Sequence, residues 1–170
     1  MFDRVVLGVD PGFASMGLAV VSAGRPRSTV VWFRTLRTPA EVPEADRLGR
    51  VASAVRAAIA DHRPQAVALE RVMWGRNRTS ALSVARATGV VMLAAAEAGI
   101  PVEEYAPLEV KMATTGIGTA DKEQVRRALI RTLRLDGVPD QADATDAVAV
   151  AVCHLNQAVL RRAARAAGVR

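Results

Sequence analysis

The 170-residue chain has very few cysteines, histidines and lysines, and each shortage excludes a kind of site. The single cysteine, Cys153, cannot form a disulfide within the chain, and its helical apolar context predicts an inert core thiol. With only His62 and His154 beside it, the sequence offers no ligand set suited to zinc. Lysine occurs twice among 23 Lys and Arg residues, at Lys111 and Lys122, which hints that this segment requires compact ammonium groups.

Long apolar runs and targeting signals are also missing. No apolar run reaches the ~18 residues that a membrane-spanning helix requires, so no membrane partner is expected. The start of the sequence leads straight into a predicted strand and shows no secretory signal. There is no repeat and no low-complexity tract. We therefore expect a cytoplasmic protein.

Charge and length favour a single globular domain that binds nucleic acid. The net charge is +6 and the isoelectric point is near 10.8, which makes nucleic acid the leading partner class. The composition is 51% hydrophobic, and the chain is long enough to bury a substantial core. We predict one domain over residues 1–170, with a basic end at 161–170 that frays.

Hydrophobic periodicity and turn signals predict an α/β fold. Three consecutive strands at the start predict an antiparallel meander, and the later βαβ units predict parallel pairing through crossovers. The predicted strands are 4–10, 16–21, 28–36, 66–70 and 101–105. The predicted helices are 43–62, 80–99, 121–133 and about 140 to beyond 160.

Two apolar runs each end on a carboxylate, at Asp10 and at Glu70. If the two runs are neighbouring parallel strands, these carboxylates meet at one edge of the sheet. Asp10 precedes Pro11 and Gly12, which favour a sharp turn, so a turn-capping role for Asp10 stays open. Glu70 is a poor turn former and follows four apolar residues, so it must be paired or solvated.

Asp143 and Asp146 open the last predicted helix. Asp143 alone could interact with the helix dipole. Asp146 precedes a stretch that is apolar on every side, where an unpaired carboxylate would cost several kcal/mol. A divalent cation would relieve that cost, and carboxylate-rich sites suit Mg²⁺ or Mn²⁺. The acids therefore predict a metal site that faces a polyanion.

Two segments have the composition of a DNA-binding surface. Residues 71–78 interleave arginines with an aromatic residue, a pattern that suits phosphate contact and base stacking. Trp74 could instead fold into the core. The segment from Lys111 to Lys122 contains glycines that allow close backbone approach, followed by a helix start. Thr119 could simply cap that helix. The candidate DNA contacts are Arg71, Met73, Trp74, Arg76, Asn77, Arg78, Lys111 and Lys122.

The predicted helix 80–99 carries many small residues among larger apolar ones. One face of this helix should pack on the sheet. The other face could pair with its copy in a dimer, or the whole helix could belong to the core.

Four segments together resemble the RuvC family of Holliday junction resolvases. They are residues 8–12 (GVDPG), 69–70 (LE), 116–118 (GIG) before a helix, and 141–147 (QADATDA). Their order and spacing are family-like over nearly the whole chain, and the set is far more specific than the first motif alone.

The resemblance implies a ribonuclease H-like fold, with a five-stranded mixed sheet flanked by helices, in a homodimer. It implies symmetric nicking of four-way DNA junctions in recombination and repair, which leaves 5′-phosphate and 3′-hydroxyl ends. It also implies a branch-migration helicase complex of the RuvA and RuvB type as a partner. The family's four acids fall on Asp10, Glu70, Asp143 and Asp146, and its loop lysines fall on Lys111 and Lys122.

For the metal, the resemblance implies two Mg²⁺ or Mn²⁺ ions per active site, roughly 4 Å apart. The four acids would be the ligands, with Asp10 bridging both ions. Lys122 would be a further catalytic residue that neutralises charge in the transition state.

The chain also departs from some relatives. Where they place a phenylalanine wedge after the strand-end glutamate, this chain offers Met73 or Trp74. Some relatives have a histidine in place of the first acid of the last pair, where this chain has Asp143. An extra acid, Asp140, lies one turn before it, and we interpret Asp140 as a simple cap.

Two other functions remain open from the sequence. The 8–12 motif with Gly17 also resembles the phosphate loop of ATP-using phosphotransferases of the actin and sugar-kinase type. That fold needs two related lobes, which 170 residues cannot supply. In a non-catalytic junction-binding protein the acids would be structural, and metal-dependent cleavage would separate that function from a nuclease.

Overall fold

A five-stranded mixed sheet forms the centre of the molecule, in the spatial order β3-β2-β1-β4-β5. The computed structural model describes residues 5–24, 27–72 and 78–166. Strand β1 pairs antiparallel with β2, β2 pairs antiparallel with β3, and β1–β4 and β4–β5 are parallel. This is the predicted meander followed by parallel strands. The strands are β1 Val5–Asp10, β2 Ser15–Ser22, β3 Thr29–Arg37, β4 Ala66–Glu70 and β5 Val102–Tyr105.

Five α-helices cover the two faces of this sheet. Residues of α1 and α2 share one hydrophobic cluster with one face, and residues of α3, α4 and α5 share the other cluster with the opposite face. Both faces are covered, as parallel strands require. The helices are α1 Glu44–His62, α2 Arg78–Glu97, α3 Pro107–Thr115, α4 Lys122–Arg127 and α5 Ala142–Ala166. In the described ranges, no helix combines the length and apolar character needed to cross a bilayer.

Helix α3 was not predicted from the sequence. Local signals for it exist: Pro107 stands at the first helical position, and Gly116 ends the helix with φ of 73°. The Glu109 side chain also accepts a 2.7 Å hydrogen bond from the Ala106 main-chain N–H. Lys111 therefore lies on a helix rather than in a loop.

The helix predicted over 121–133 is also corrected. Asp121, not Thr119, is the N-cap of α4, because its carboxylate accepts a 2.8 Å hydrogen bond from the Gln124 main-chain N–H. The Gln124 side chain bonds back to the Asp121 N–H at 2.9 Å, which completes a capping box. After Arg127 the chain widens into a π-helical turn, Ala128–Thr132, which delivers Leu129 to the core.

The remaining boundaries differ by one or two residues. Helix α5 begins at Ala142, so Asp143 lies in its first turn as predicted. Asp140 forms an ion pair with Arg126 of α4 rather than capping α5. Cys153 is fully buried in the cluster beneath α5, as predicted for a core thiol.

Candidate active site

Asp10 and Glu70 lie side by side at the carboxyl edge of the sheet. Strand β1 pairs in parallel with β4, and the register places Val9 beside Leu69, so the next residue on each strand reaches the same edge. The six residues before and including Asp10 form β1, whose centre is completely buried. Each apolar strand thus positions one carboxylate at the point where backbone pairing ends.

Two glycines allow the start of α5 to lie directly against β1 and β2. A methyl group at position 17 would lie 1.8 Å from the Asp143 main-chain oxygen, and one at position 8 would lie 2.1 Å from the Ala147 oxygen. Gly17 pairs with Asp10 across the β1–β2 ladder. The close contact therefore brings the first turn of α5 to the sheet edge that carries Asp10.

A cavity of about 240 Å³ opens at this edge. Its wall combines acids from three elements with both lysines of the chain, and apolar residues of α3, α4 and α5 form the remainder. The lining residues are Asp10, Glu70, Asp146, Lys111, Lys122, Pro107, Val110, Val125 and Ala149. Five of the candidate residues thus share one concave site, although 136 positions separate Asp10 from Asp146 in sequence.

Lys122 is bound to one of these acids. Its Nζ donates a 2.5 Å hydrogen bond to Asp146 Oδ2, and this bond raises the pKa of the Lys122 ammonium. The Lys122 side chain is 72% exposed and that of Asp146 is 20% exposed. The ammonium therefore reaches into the site from solvent and can leave it without disturbing the core.

Asp143 does not line the cavity, because its carboxylate is turned toward β2. Ser15 Oγ donates a 2.5 Å hydrogen bond to Asp143 Oδ2. The charge of Asp143 still raises the pKa of Asp10, so the two groups interact across the edge. Sequence reasoning missed Ser15, since a serine at the start of a strand gives no signal of a partner 128 residues away.

Burial and mutual repulsion change the ionisation of the two strand-end acids. Burial, followed by the charges of Glu70 and Asp146, raises the pKa of Asp10 from 3.8 to about 8, although Lys122 opposes the shift. Burial, and then repulsion by Asp146, also raises the pKa of Glu70, which a hydrogen bond with Asp10 lowers in part. The pair therefore holds a proton at neutral pH when no cation is bound.

The donor chemistry of this site fits a divalent metal. Its acidic groups offer oxygen ligands, and repulsion among them is the strain that a cation relieves. In the part of the chain that the structure describes, no three acid, histidine or cysteine side chains are already arranged to enclose an ion. Asp143 bonds to Ser15, Asp146 bonds to Lys122, and the Asp10–Glu70 pair shares a hydrogen bond. A cation would therefore have to displace Lys122 and the shared proton.

The raised pKa of Asp10 predicts how stability depends on pH. A carboxyl group that binds its proton more tightly when folded stabilises the fold below its ordinary pKa of 3.8, and this contribution is lost as the pH rises to about 8. A bound cation replaces the proton. At a fixed concentration of about 100 times its Kd at pH ~8.5, we expect Mn²⁺ to raise the melting temperature by about 5–10 °C at that pH. At about pH 5.5 the same Mn²⁺ concentration should raise it less, because the proton competes for the site.

Thermal melts at the two pH values, with and without Mn²⁺, check this expectation. Asp10→Asn is the control, because it should flatten the pH dependence of the metal-free protein and lose most of the Mn²⁺ response. Equal stabilisation of the wild type by Mn²⁺ at both pH values would contradict the proton-for-metal exchange.

Ser15→Ala tests whether Asp143 is a metal ligand: if it is, Mn²⁺ affinity should fall by about 10- to 100-fold, the usual effect of losing a residue that orients a metal ligand. Without the hydroxyl, the Asp143 carboxylate loses its 2.5 Å partner and can rotate. Ser15→Thr retains a hydroxyl and should behave like the wild type. Calorimetric Mn²⁺ titration measures this effect without using activity. A Ser15→Ala protein with unchanged Mn²⁺ affinity would show that Asp143 is oriented by α5 alone.

The predicted DNA contacts are only partly described. Arg71 follows Glu70 directly, is exposed, and is held by a 2.8 Å hydrogen bond from its main-chain N–H to the Tyr105 carbonyl. Met73, Trp74, Arg76 and Asn77 lie outside the described residues, as does the side chain of Arg78 at the start of α2.

Known proteins resemble this chain over nearly its whole length. The model of the family described as "Crossover junction endodeoxyribonuclease RuvC" matches residues 6–154. The chain belongs to the RuvC family. It is 47% identical over 163 residues to the RuvC protein of Rhodococcus opacus (strain B4), covering 95% of this chain and 86% of that one. It is 46% identical over 163 residues to that of Mycobacterium avium (strain 104), covering 95% and 87%.

A solved RuvC structure shares the whole architecture. The structure titled "T. thermophilus RuvC in complex with Holliday junction substrate" matches with a TM-score of 0.86 at 35% identity, covering 93% of this chain and 96% of that chain. The predicted ribonuclease H-like fold is confirmed. Membership of an endodeoxyribonuclease family also decides between the alternatives, against the phosphotransferase and the non-catalytic binding protein.

Proposed function

We propose that this RuvC-family chain resolves four-way DNA junctions by nicking two strands symmetrically, with divalent metal ions. The observation that carries the proposal is the meeting of Asp10, Glu70, Asp146 and both lysines in one cavity at the sheet edge. Nucleases of this family are metal-dependent. A solved relative was captured with its junction substrate, which supports a junction as the substrate here.

We further propose that Asp10, Glu70, Asp143 and Asp146 would hold two Mg²⁺ or Mn²⁺ ions. When bound, such ions supply an activated water for in-line attack and stabilise the leaving 3′-oxygen. The places of the acids on β1, β4 and α5 would hold such ions at the sheet edge. The products would carry 5′-phosphate and 3′-hydroxyl ends.

The lysines act on the negative charge of the DNA. Lys122 neutralises Asp146 in the absence of metal and is free to turn to the scissile phosphate when a cation takes its place. Lys111 of α3 also lines the cavity and contributes a second ammonium near the same phosphate. The apolar wall from α3 and α5 limits water access around this group.

One assay tests this function. The purified protein is incubated with a synthetic four-way junction, or with a linear duplex of the same sequence, in Mg²⁺, Mn²⁺ or EDTA. We expect paired nicks in the junction but not in the linear duplex, and only when Mg²⁺ or Mn²⁺ is present. We also expect DNA ligase to seal the products. Equal cutting of the duplex, or cutting in EDTA, would refute the proposal.

Symmetric nicking requires two active sites, so we propose a homodimer formed by the exposed face of α2. Leu82 and Leu93 are 48% and 54% exposed, and Gly89 lies between them with open space around it. The opposite face of α2 packs in the core through Ala87 and Val91. Arg86 lies on the same stripe, where its charge is paired with Glu44 of α1. An exposed stripe that is otherwise apolar and contains a glycine suits close helix pairing between copies.

Leu93→Glu is expected to convert the dimer to a monomer and to remove paired nicking, because it places a charge in a buried apolar contact. Leu108→Glu is the control, since Leu108 is 61% exposed on α3, away from α2. Sedimentation measures the mass of each protein. A dimeric Leu93→Glu protein would place the interface elsewhere.

Four other expectations remain proposals. Met73 or Trp74 would wedge into the junction and unstack bases beside the cut. Arg71, Arg76, Asn77 and Arg78 would contact the DNA around that wedge. We also propose a RuvA- and RuvB-type helicase complex as the partner, and a cytoplasmic reaction, because the family is described as acting on crossover junctions in DNA.

A further inference from the structure

A second, basic groove lies between strand β3 and helix α1. It has a volume of about 630 Å³ and shares no lining residue with the acidic cavity. Arg34 and Arg37 of β3 form one wall and Arg50 of α1 forms the other, with Asp46 and Ser53 also on the α1 side. No residue of this groove takes part in the chemistry proposed above.

The three arginines carry positive charge that the protein does not neutralise. All three are exposed, and none forms an ion pair or side-chain hydrogen bond within the ranges that the structure describes. The neighbouring arginines are paired: Arg56 binds Glu97 at 2.9 Å and Arg86 binds Glu44 at 2.8 Å. The groove is therefore a local concentration of unpaired guanidinium groups.

The groove opens on the α1 face of the sheet at the edge strand β3, whereas the acidic cavity opens on the opposite face, and the sheet register gives the distance between them. Asp10 of β1 is opposite Gly17 of β2, and Gly17 is opposite Thr35 of β3. Neighbouring strands lie about 4.8 Å apart, so Thr35 lies roughly 10 Å from Asp10 across the sheet. Arg34 and Arg37 flank Thr35 in sequence, and Arg37 pairs with Ser15, the partner of Asp143.

A buried arginine fixes the chain at the end of the groove. Arg47 stacks on the Phe13 ring, 3.6 Å from its centroid, and donates a 3.1 Å hydrogen bond to the Phe13 carbonyl. It also donates a 3.2 Å hydrogen bond to Thr38 Oγ1. The turn after β3 is thereby joined to the turn after β1, so the groove keeps its position relative to Asp10.

We propose that this groove binds the sugar-phosphate backbone of the DNA arm that leads away from the scissile phosphate. Guanidinium groups form paired hydrogen bonds to phosphate oxygens. The described lining has no aromatic side chain for base stacking, so the contact holds the backbone without reading sequence. This inference rests on the proposed function for the identity of the polymer, and it adds a second anchoring point on it.

The test compares two variants that lose the same charge. The groove variant carries Arg34→Gln, Arg37→Gln and Arg50→Gln. The control variant carries Arg27→Gln, Arg131→Gln and Arg134→Gln, which change exposed arginines outside both cavities. Junction Kd is measured in EDTA over a series of salt concentrations, and cleavage is measured in Mg²⁺ at saturating enzyme.

We expect the groove variant to bind the junction at least about 10-fold more weakly at about 0.1 M salt. The slope of log Kd against the logarithm of the salt concentration should fall by the amount that corresponds to about 2–3 lost phosphate contacts. Its cleavage rate at saturation should stay within about twofold of the wild type. Replacing the same residues by lysine should restore most of the salt dependence. The control variant should keep the wild-type salt dependence.

A second measurement on the wild type does not depend on whether the variant folds. A guanidinium-reactive dicarbonyl should modify Arg34, Arg37 and Arg50 more slowly when junction DNA is bound, as read by mass spectrometry.

An unchanged salt dependence, a loss of affinity equal to that of the control variant, or groove arginines that DNA does not protect would each overturn the inference. Groove variants that bind DNA normally but lose a helicase subunit would overturn it in favour of a protein partner. Wild type that binds the junction without cutting it would refute the proposed function and leave the groove test valid.

Discussion

Asp10→Asn is expected to abolish junction cleavage, with a loss of at least about a thousand-fold, while junction binding stays within a few-fold of the wild type. Asp10 occupies the centre of the acid group, since the charges of Glu70, Asp146 and Asp143 all raise its pKa. An asparagine has nearly the same shape but loses the charge that would hold a cation. Binding depends on arginine and lysine contacts to phosphate, which this change leaves intact.

The same outcome is expected for Glu70→Gln, Asp143→Asn and Asp146→Asn. Single-turnover cleavage in Mg²⁺ and junction Kd in EDTA measure the two effects separately. Asp140→Asn is the matched control, because Asp140 lies one helical turn before Asp143 and pairs with Arg126 outside the cavity. An acid variant that cuts at a rate near that of the wild type would remove that residue from the proposed ligand set.

The hydrogen bond between Lys122 and Asp146 places a positive charge among the acids of the cavity. Two ammonium groups line the cavity, those of Lys111 and Lys122. Among the hydrogen bonds of the described residues, the ammonium of Lys122 donates one to a cavity acid, Asp146. It lowers the pKa of both Asp10 and Glu70, as a metal ion would do more strongly. Lys122 therefore offsets part of the repulsion among these acids, as a bound cation would.

The positions of the strand-end acids could be predicted from the sequence for a physical reason. A buried parallel strand is a continuous apolar run, and its pairing is fixed by right-handed crossovers, so Asp10 and Glu70 had to reach one edge. Asp146 was predicted because an apolar helix makes a lone carboxylate costly. These inferences depend on local pattern and on general topology alone.

Contacts that depend on how closely helices and strands pack against one another could not be predicted in this way. The Ser15–Asp143 bond depends on how closely α5 lies on β2. The basic groove depends on which faces of β3 and α1 remain open after packing. Helix α3 had local signals in Pro107 and Gly116, but its nine residues are too few to show a clear helical period.

Gly17→Ala is expected to destabilise the protein by about 3 kcal/mol or more and to remove cleavage. The added methyl group would lie 1.8 Å from the Asp143 main-chain oxygen, far inside van der Waals contact. This oxygen belongs to backbone, so no side-chain rotation can relieve the overlap. The first turn of α5 must therefore move off β2, and Asp143 and Asp146 move with it.

Thermal and denaturant unfolding measure the loss of stability, which corresponds to about 6–12 °C in melting temperature for a chain of this size. Gly49→Ala is the control, because a methyl group on this exposed turn of α1 meets nothing within 4 Å. Alanine is the better helix former, so Gly49→Ala should be stabilising by about 0.5–1 kcal/mol.

Mn²⁺ binding separates a displaced site from a protein that simply unfolds. At a temperature where the Gly17→Ala protein is still folded by circular dichroism, we expect calorimetry to show Mn²⁺ affinity reduced by at least about 10-fold. The reason is that the carboxylates on α5 no longer face those on β1 and β4. A folded Gly17→Ala protein with wild-type Mn²⁺ affinity and cleavage would mean that α5 tolerates separation from β2. The position of the acids would then be set by the α5 contacts with β1 and with α3.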